Sequence, residues 1–161
     1  MRSMPTTQSE DPNERVNHPR HYNQHGSNIE CIELIEHLPL NLGNAVKYIW
    51  RCGLKQSETP MRDLKSALWY TFREEERRRV FELSEEDLSS KTDVVWRALA
   101  WRVIEHEDSQ GIPGDGHATP LAMYLRAMMH GGVVGFINMR AAIYQGIQEF
   151  EASTGGLGAK P

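Results

Sequence analysis

Asn44, Lys47, Tyr48 and Arg51 stand in one run of the chain, NLGNAVKYIWRCGLK (Asn41 to Lys55). On a helix, Asn44, Tyr48 and Arg51 fall at i, i+4 and i+7 and make one stripe. Lys47, Arg51 and the following Lys55 concentrate positive charge at the end of that helix. Three cations there would suit the helix dipole alone. They would equally suit a phosphate, to which Arg offers a planar fork and Lys a point charge. Tyr48 or Trp50 could stack on a base, although Trp50 fits a core position as well.

Carboxylates flank this run. Glu30 and Glu33 are three residues apart in IECIELIE (Ile29 to Glu36) and share roughly one helical face, where two hard oxygen ligands could hold a divalent cation. Glu30 would also complete an S-x-x-E capping box with Ser27. Asp63 lies in the first turn of a later helix, where it favours the dipole; it completes a carboxylate cluster with Glu30 and Glu33 if the helices pack antiparallel. Beyond it come Lys65, Trp69, Tyr70 and Arg73, and Trp69 with Arg73 is an i, i+4 pair suited to a cation–π contact. His18, His21 and Tyr22 precede the first helix in VNHPRHY (Val16 to Tyr22). His18-x-x-His21 could ligate zinc with Cys31 or Cys52, but the spacing is loose. A turn that folds over a pocket, or merely packs against the helices, is the better reading. There is no GxxxxGK(S/T), GxSxG or HExxH run, which removes the P-loop, the nucleophile elbow and the zinc-protease helix.

Helices must position these residues. The period is helical and no strand alternation is evident. Ile29 to Leu38 forms a first helix ended by Pro39, and Leu42 to Cys52 a second, with Gly53 at a left-handed C-terminal position. Thr59-Pro60 opens a third, reaching Val80 with Leu64, Leu68 and Phe72 along its stripe. A fourth starts at Ser84 or near Thr92 and ends near Glu107, with Val95, Leu99 and Val103 in register. Thr119-Pro120 opens a fifth to His130. The sixth runs from Val133 to Glu151 with Phe136, Ile137, Tyr144 and Ile147 on one face. The expected fold is all-α: a compact bundle of about six helices. Residues 1–15 read as a disordered arm, 16–82 as the motif-bearing domain, 83–152 as a helical extension and 153–161 as a flexible tail. Helices this short point to a homo-oligomer.

The 161 residues carry a net charge of −4 and a pI near 6.0, which argues against binding to duplex nucleic acid but not against a small anion in a basic pocket. Two cysteines make no disulfide framework. No apolar run nears the roughly 18 residues of a membrane span, and the N-terminus lacks a secretory core. The expected setting is the cytoplasm, without membrane association.

The string VNHPRHY…IECIELIE…NLGNAVKYIWRCGLK…DLKSALWY resembles a family of small proteins of tailed phages and prophages, often labelled nucleotide kinase or of unknown function. The resemblance covers about 58 of the 161 residues and stops near Phe81. The family includes a deoxynucleoside monophosphate kinase without a P-loop. Its N-H-P-x-H-Y falls on Asn17, His18, Pro19, His21 and Tyr22, and its acidic helix on Glu30 and Glu33. Its G-N-x-x-K-Y-x-x-R falls on Gly43, Asn44, Lys47, Tyr48 and Arg51, followed by Lys55. Its D-L-x-K-A-x-x-Y is met at Asp63, Leu64 and Tyr70. The lysine departs: Lys65 precedes Ser66-Ala67, whereas the family places it directly before the alanine.

The resemblance implies a deoxynucleoside monophosphate kinase using ATP and Mg²⁺. Lys47, Arg51 and Asp63 would be catalytic and Glu30 and Glu33 would hold the metal. His18, His21, Tyr22, Asn44, Tyr48, Lys55 and Tyr70 would bind the nucleotide. Phosphoryl transfer asks chiefly for positioning and charge neutralisation, which such a set could supply. Two other readings compete. One is a protein that binds or sequesters a nucleotide unchanged, as a phage could use against host defence. The other is an all-α, MazG-like pyrophosphohydrolase. The latter's first ExxE is present at Glu30 to Glu33, but its later ExxD is not, because Pro60 stands three places before Asp63.

Overall fold

The computed structural model describes residues 25–52, 54, 59–80, 93–110 and 118–155. Among them the fold is all-α, with six helices and no strand: α1 (Cys31–Ile35), α2 (Leu40–Arg51), α3 (Pro60–Val80), α4 (Asp93–Gln110), α5 (Pro120–His130) and α6 (Gly132–Gly155). The expected N-terminal arm and Gly53 lie outside the described residues.

Local chemistry sets the boundaries. Pro39 separates α1 from α2. Thr59 Oγ1 accepts from the Arg62 N–H at 3.3 Å, and Pro60 takes the first helical position of α3. Thr119 does the same for α5, accepting from the Ala122 N–H at 3.2 Å ahead of Pro120. Gly131, at φ 65°, ends α5 in a conformation that a side chain disfavours. The first capping box is one turn later than expected: Glu30 is the N-cap of α1 and Glu33 its partner, accepting from the Glu30 N–H at 2.7 Å. Ser27 is drawn away by His25, whose Nδ1 lies 2.7 Å from its hydroxyl. The sixth helix runs on through Ser153 and Thr154, which the sequence assigned to a frayed tail.

Side-chain pairs show how the helices run. Asn41 reaches Glu74 and Arg51 reaches Asp63, so α2 and α3 are antiparallel. Arg140 pairs with Glu75 while Gly146 approaches Leu64, which sets α6 antiparallel to α3. Arg97 donates to the Met129 carbonyl and Asp108 pairs with Arg126, so α4 and α5 are antiparallel too. Leu34, Leu42, Val46, Val103, Ile104, Tyr124, Leu125 and Ile143 are the centre of one shared core. Gly43, inside the G-N motif, is buried, and a Cβ there would lie 3.3 Å from the Ile35 carbonyl oxygen; its absence lets α2 pack close to α1.

Three helix faces differ from the apolar stripes read from the sequence. On α3 the buried stripe is Asp63, Leu64, Ala67, Thr71 and Glu74, and Phe72 is exposed. On α4 it is Trp96, Ala100, Val103 and Ile104, and Val95 faces out. On α6 it is Phe136, Met139, Ala142 and Ile143, with Ile137 and Tyr144 exposed.

Glu74 is fully buried and fully engaged. Its carboxylate accepts from Asn41 Nδ2 (3.0 Å), Arg77 Nε (2.9 Å), Arg77 Nη2 (2.7 Å) and Arg78 Nε (3.1 Å). Burial opposes its ionisation. The hydrogen bonds from Arg77 and Asn41, with the charges of Arg77 and Arg78, outweigh that and hold the carboxyl below its ordinary value. One turn earlier, the Thr71 and Tyr124 hydroxyls share a buried hydrogen bond of 2.7 Å. These polar contacts join α3 to α2 and α5 and fix the helix that carries most of the cleft described next.

Candidate functional site

The α2–α3 hairpin is pinned beside its connecting turn by Arg51 and Asp63. Arg51 donates to Asp63 Oδ1 from Nε (3.1 Å) and Nη2 (2.8 Å). Asp63 is only 1% exposed, and its Oδ2 has no hydrogen-bond partner among the described residues. The Arg51 guanidinium also lies over the Tyr48 ring, with Cζ 4.5 Å from the centroid. Tyr48 in turn stacks on Tyr70 of α3, centroids 5.7 Å apart and planes inclined by 19°. Trp69 meets Tyr70 edge-on at 4.8 Å. Arg51 therefore orients an aromatic pair as well as pairing with an acid.

Beside this pair lies an open cleft of about 540 Å³, lined by Tyr48 from α2 and by Thr59, Met61, Arg62, Lys65, Ser66, Trp69 and Tyr70 around α3. Arg62, Lys65, Ser66 and Trp69 occupy one face of α3 at i, i+3, i+4 and i+7. Trp69 is 59% exposed, unusual for so large an aromatic. The cleft thus sets aromatic faces next to two cations, a combination suited to a ring carrying a negative charge.

The residues singled out in the sequence divide into several groups. Tyr48 and Tyr70 come together as cleft walls. Arg51 and Asp63 come together as an ion pair. Lys47 donates to Asn44 Oδ1 at 2.8 Å, and Asn44 Nδ2 donates to the Leu40 carbonyl at 3.0 Å. Burial lowers the Lys47 pKa and Arg51 lowers it further, with the Cys31 thiol acting in the opposite sense. Neither Asn44 nor Lys47 lines the cleft. Glu30 and Glu33 sit at the start of α1, where Glu33 is occupied in capping. They do not form the expected cluster with Asp63, whose carboxylate is turned onto Arg51. His18, His21, Tyr22 and Lys55 lie outside the described residues. Trp50 is core, at 3% exposure.

Two features were not read from the sequence as sites. One is the α3 face of Arg62, Lys65, Ser66 and Trp69, whose helical spacing was a usable signal. The other is a group of His25, His106 and Glu107, whose ligand atoms all lie within 4.8 Å of one another. Among the described residues it is the one set of three side chains able to share a metal ion. No spacing announces it, because His25 and Glu107 are brought together only by the docking of α1 on α4. The cysteines do not contribute a ready thiolate: burial pushes Cys31 up to about 12 and Cys52 up to about 11.

Residues 16–71 match a family described as a protein of unknown function, DUF3310. The match coincides with the motif-bearing block and covers both walls of the cleft, Tyr48 on α2 and the α3 face through Tyr70. That description assigns no activity. No curated protein and no solved structure matches the chain.

Proposed function

We propose that the protein binds a nucleotide in the cleft between α2 and α3. The observation that carries this reading is the convergence of Tyr48, Trp69 and Tyr70 with Arg62 and Lys65 around one open cleft of about 540 Å³. A volume of this order suits a small ligand. Stacking a base on an aromatic side chain is worth about 1–3 kcal/mol, and phosphate attracts the adjoining cations. The resemblance to the phage nucleotide-kinase family supports the same ligand class, and on that ground we propose a role in phage nucleotide metabolism.

The finer reading is a deoxynucleoside monophosphate kinase. There Mg²⁺ and ATP would serve transfer to the bound monophosphate, with Lys47, Arg51 and Asp63 as its working groups and Glu30 and Glu33 on the metal. We rank binding without turnover above it. Arg51 and Asp63 already neutralise each other, and Glu33 caps α1. We also propose a homo-oligomer, through the exposed row Val133, Ile137 and Tyr144 on α6; light scattering on the eluted protein reads this directly.

The test is a calorimetric panel of dNMPs, dNTPs and cyclic dinucleotides. Saturable binding of at least one supports the reading. Formation of dNDP from dNMP with ATP and Mg²⁺ upgrades it to the kinase, and pyrophosphate released from a dNTP without an acceptor makes it a pyrophosphohydrolase. No binding across the panel removes it.

A further inference from the structure

A second cleft, of about 550 Å³, opens between the turn before α1, the end of α4 and the α5–α6 pair. Most of its wall is apolar, including Trp50, Leu64, Leu121 and Phe150. Its polar residues include His25, His106, Glu107 and Thr119. We propose that His25, His106 and Glu107 form a divalent transition-metal site, with zinc as the best fit, whose remaining coordination position opens onto this cleft.

The donor set comes first. Two imidazoles and one carboxylate suit Zn²⁺, and three protein ligands leave a fourth position for water or a ligand. Zinc bonds of about 2.0–2.2 Å place tetrahedral donors about 3.4 Å apart. Atoms already within 4.8 Å of one another need only small side-chain rotations to reach that.

The surroundings are arranged as a metal site requires. His25 Nε2 lies 2.8 Å from Glu107 Oε1, and His25 Nδ1 lies 2.7 Å from the Ser27 hydroxyl. Without metal, Nε2–H donates to Glu107 and Nδ1 accepts from Ser27. With metal on Nε2, the proton moves to Nδ1 and the Ser27 hydroxyl turns to accept it. The Ser27 hydroxyl can therefore face either tautomer, the orienting part that ligating histidines ordinarily have, while the Ser27 backbone N–H, which lies 3.3 Å from Nδ1 and donates to it without metal, must swing off the protonated nitrogen. Thr119 Oγ1 donates to Glu107 Oε2 at 2.5 Å and orients that carboxylate.

His106 supplies the independent reason. The His25–Glu107 hydrogen bond explains itself without a metal, but the His106 ring makes no hydrogen bond among the described residues. It sits edge-on to His25 with centroids 5.1 Å apart. The turn also lies close against it: a Cβ on Gly26 would lie 2.5 Å from His106 Nε2, so any larger residue there would push the imidazole out of this position. A half-buried imidazole held against a second imidazole and a carboxylate gains its missing partner from a cation.

The full-length, tag-free protein, stripped with chelator, is titrated with Zn²⁺ by calorimetry and with Co²⁺ by visible absorption. We expect one ion per chain and the intense absorption of four-coordinate cobalt. His106→Ala and Glu107→Gln each weaken binding by about 100-fold, and Ser27→Ala by about 10-fold. His18→Ala/His21→Ala leaves it unchanged. Should a variant not fold, the wild-type chain still localises the site: Zn²⁺ protects His25 and His106, but not exposed His130, from carbethoxylation read by mass spectrometry. No ion bound, equal labelling with and without Zn²⁺, or loss of binding only in the His18→Ala/His21→Ala protein overturns the proposal.

Discussion

Replacing Glu74 by Gln keeps the shape of a fully buried side chain and removes its charge. Four donor contacts converge on the two carboxylate oxygens, from Asn41, Arg77 and Arg78. Gln offers one acceptor oxygen, so its NH₂ must face at least one of those donors. Arg77 and Arg78 lose their counter-charge, and Arg78 is only 11% exposed. Removing one partner of a buried pair costs about 3–5 kcal/mol. Arg77 can turn to water, being 38% exposed, which puts the expected loss near the lower end. At roughly 2–4 °C per kcal/mol for a chain of this size, about 3 kcal/mol lowers Tm by about 6–12 °C. The assay is thermal unfolding followed by far-ultraviolet circular dichroism.

The same substitution has a signed pH signature. The Glu74 carboxyl is held below its ordinary 4.5 in the folded chain. A depressed carboxylate contributes stability that is fully present above the unfolded value and is lost as pH falls through the folded value. The gap in Tm between wild type and Glu74→Gln should therefore be full at neutral pH and shrink once the pH drops below the ordinary value. A Tm within 2 °C of wild type at about pH 7, where this contribution is complete, or a gap that widens in acid, refutes the reasoning.

Three further outcomes follow from the packing. Thr71→Val strands the buried Tyr124 hydroxyl and should cost about 1–3 kcal/mol. Adding Tyr124→Phe should cost less than its effect alone, a coupling that a double-mutant cycle in urea measures. Gly135→Ala places a Cβ 2.9 Å from the Ala127 carbonyl oxygen, so it should lower Tm despite alanine's better helix propensity. A rise in Tm would show that α5 and α6 separate freely. Cys31, buried with its thiol pushed up to about 12, should resist a thiol reagent at neutral pH and react on denaturation; rapid native labelling at Cys31 would contradict its packing.

The helical architecture was legible because proline and threonine punctuate it. Thr59-Pro60 and Thr119-Pro120 mark the starts of α3 and α5 through local hydrogen bonds that need no tertiary partner. The faces were harder. On α3, the apolar reading followed Leu64, Leu68 and Phe72, yet the helix buries Asp63, Thr71 and Glu74, polar groups that find partners on α2 and α5 and, for Glu74, also in Arg77 and Arg78 of α3 itself. Burial of a polar residue is decided by distant partners, which hydrophobic periodicity does not encode. In the cleft, Tyr48 and Tyr70 stood out by type and spacing. The commitment of Arg51 to Asp63 did not, because it depends on α2 and α3 running antiparallel. His25 and Glu107 lie far apart in sequence, and only the fold joins them.

A nucleotide held in the α2–α3 cleft would stack on Trp69. Its indole lines the cleft and is largely exposed, so Trp69→Ala should leave Tm close to wild type. Loss of one stacking contact worth about 1–3 kcal/mol weakens binding by roughly 5- to 150-fold. The measurement is calorimetric titration of wild type and Trp69→Ala with the tightest-binding dNMP of the panel. Wild type should bind saturably, one to one, and the variant, at unchanged stability, should bind at least fivefold more weakly. Equal affinity for both proteins would place the ligand elsewhere and contradict binding in this cleft.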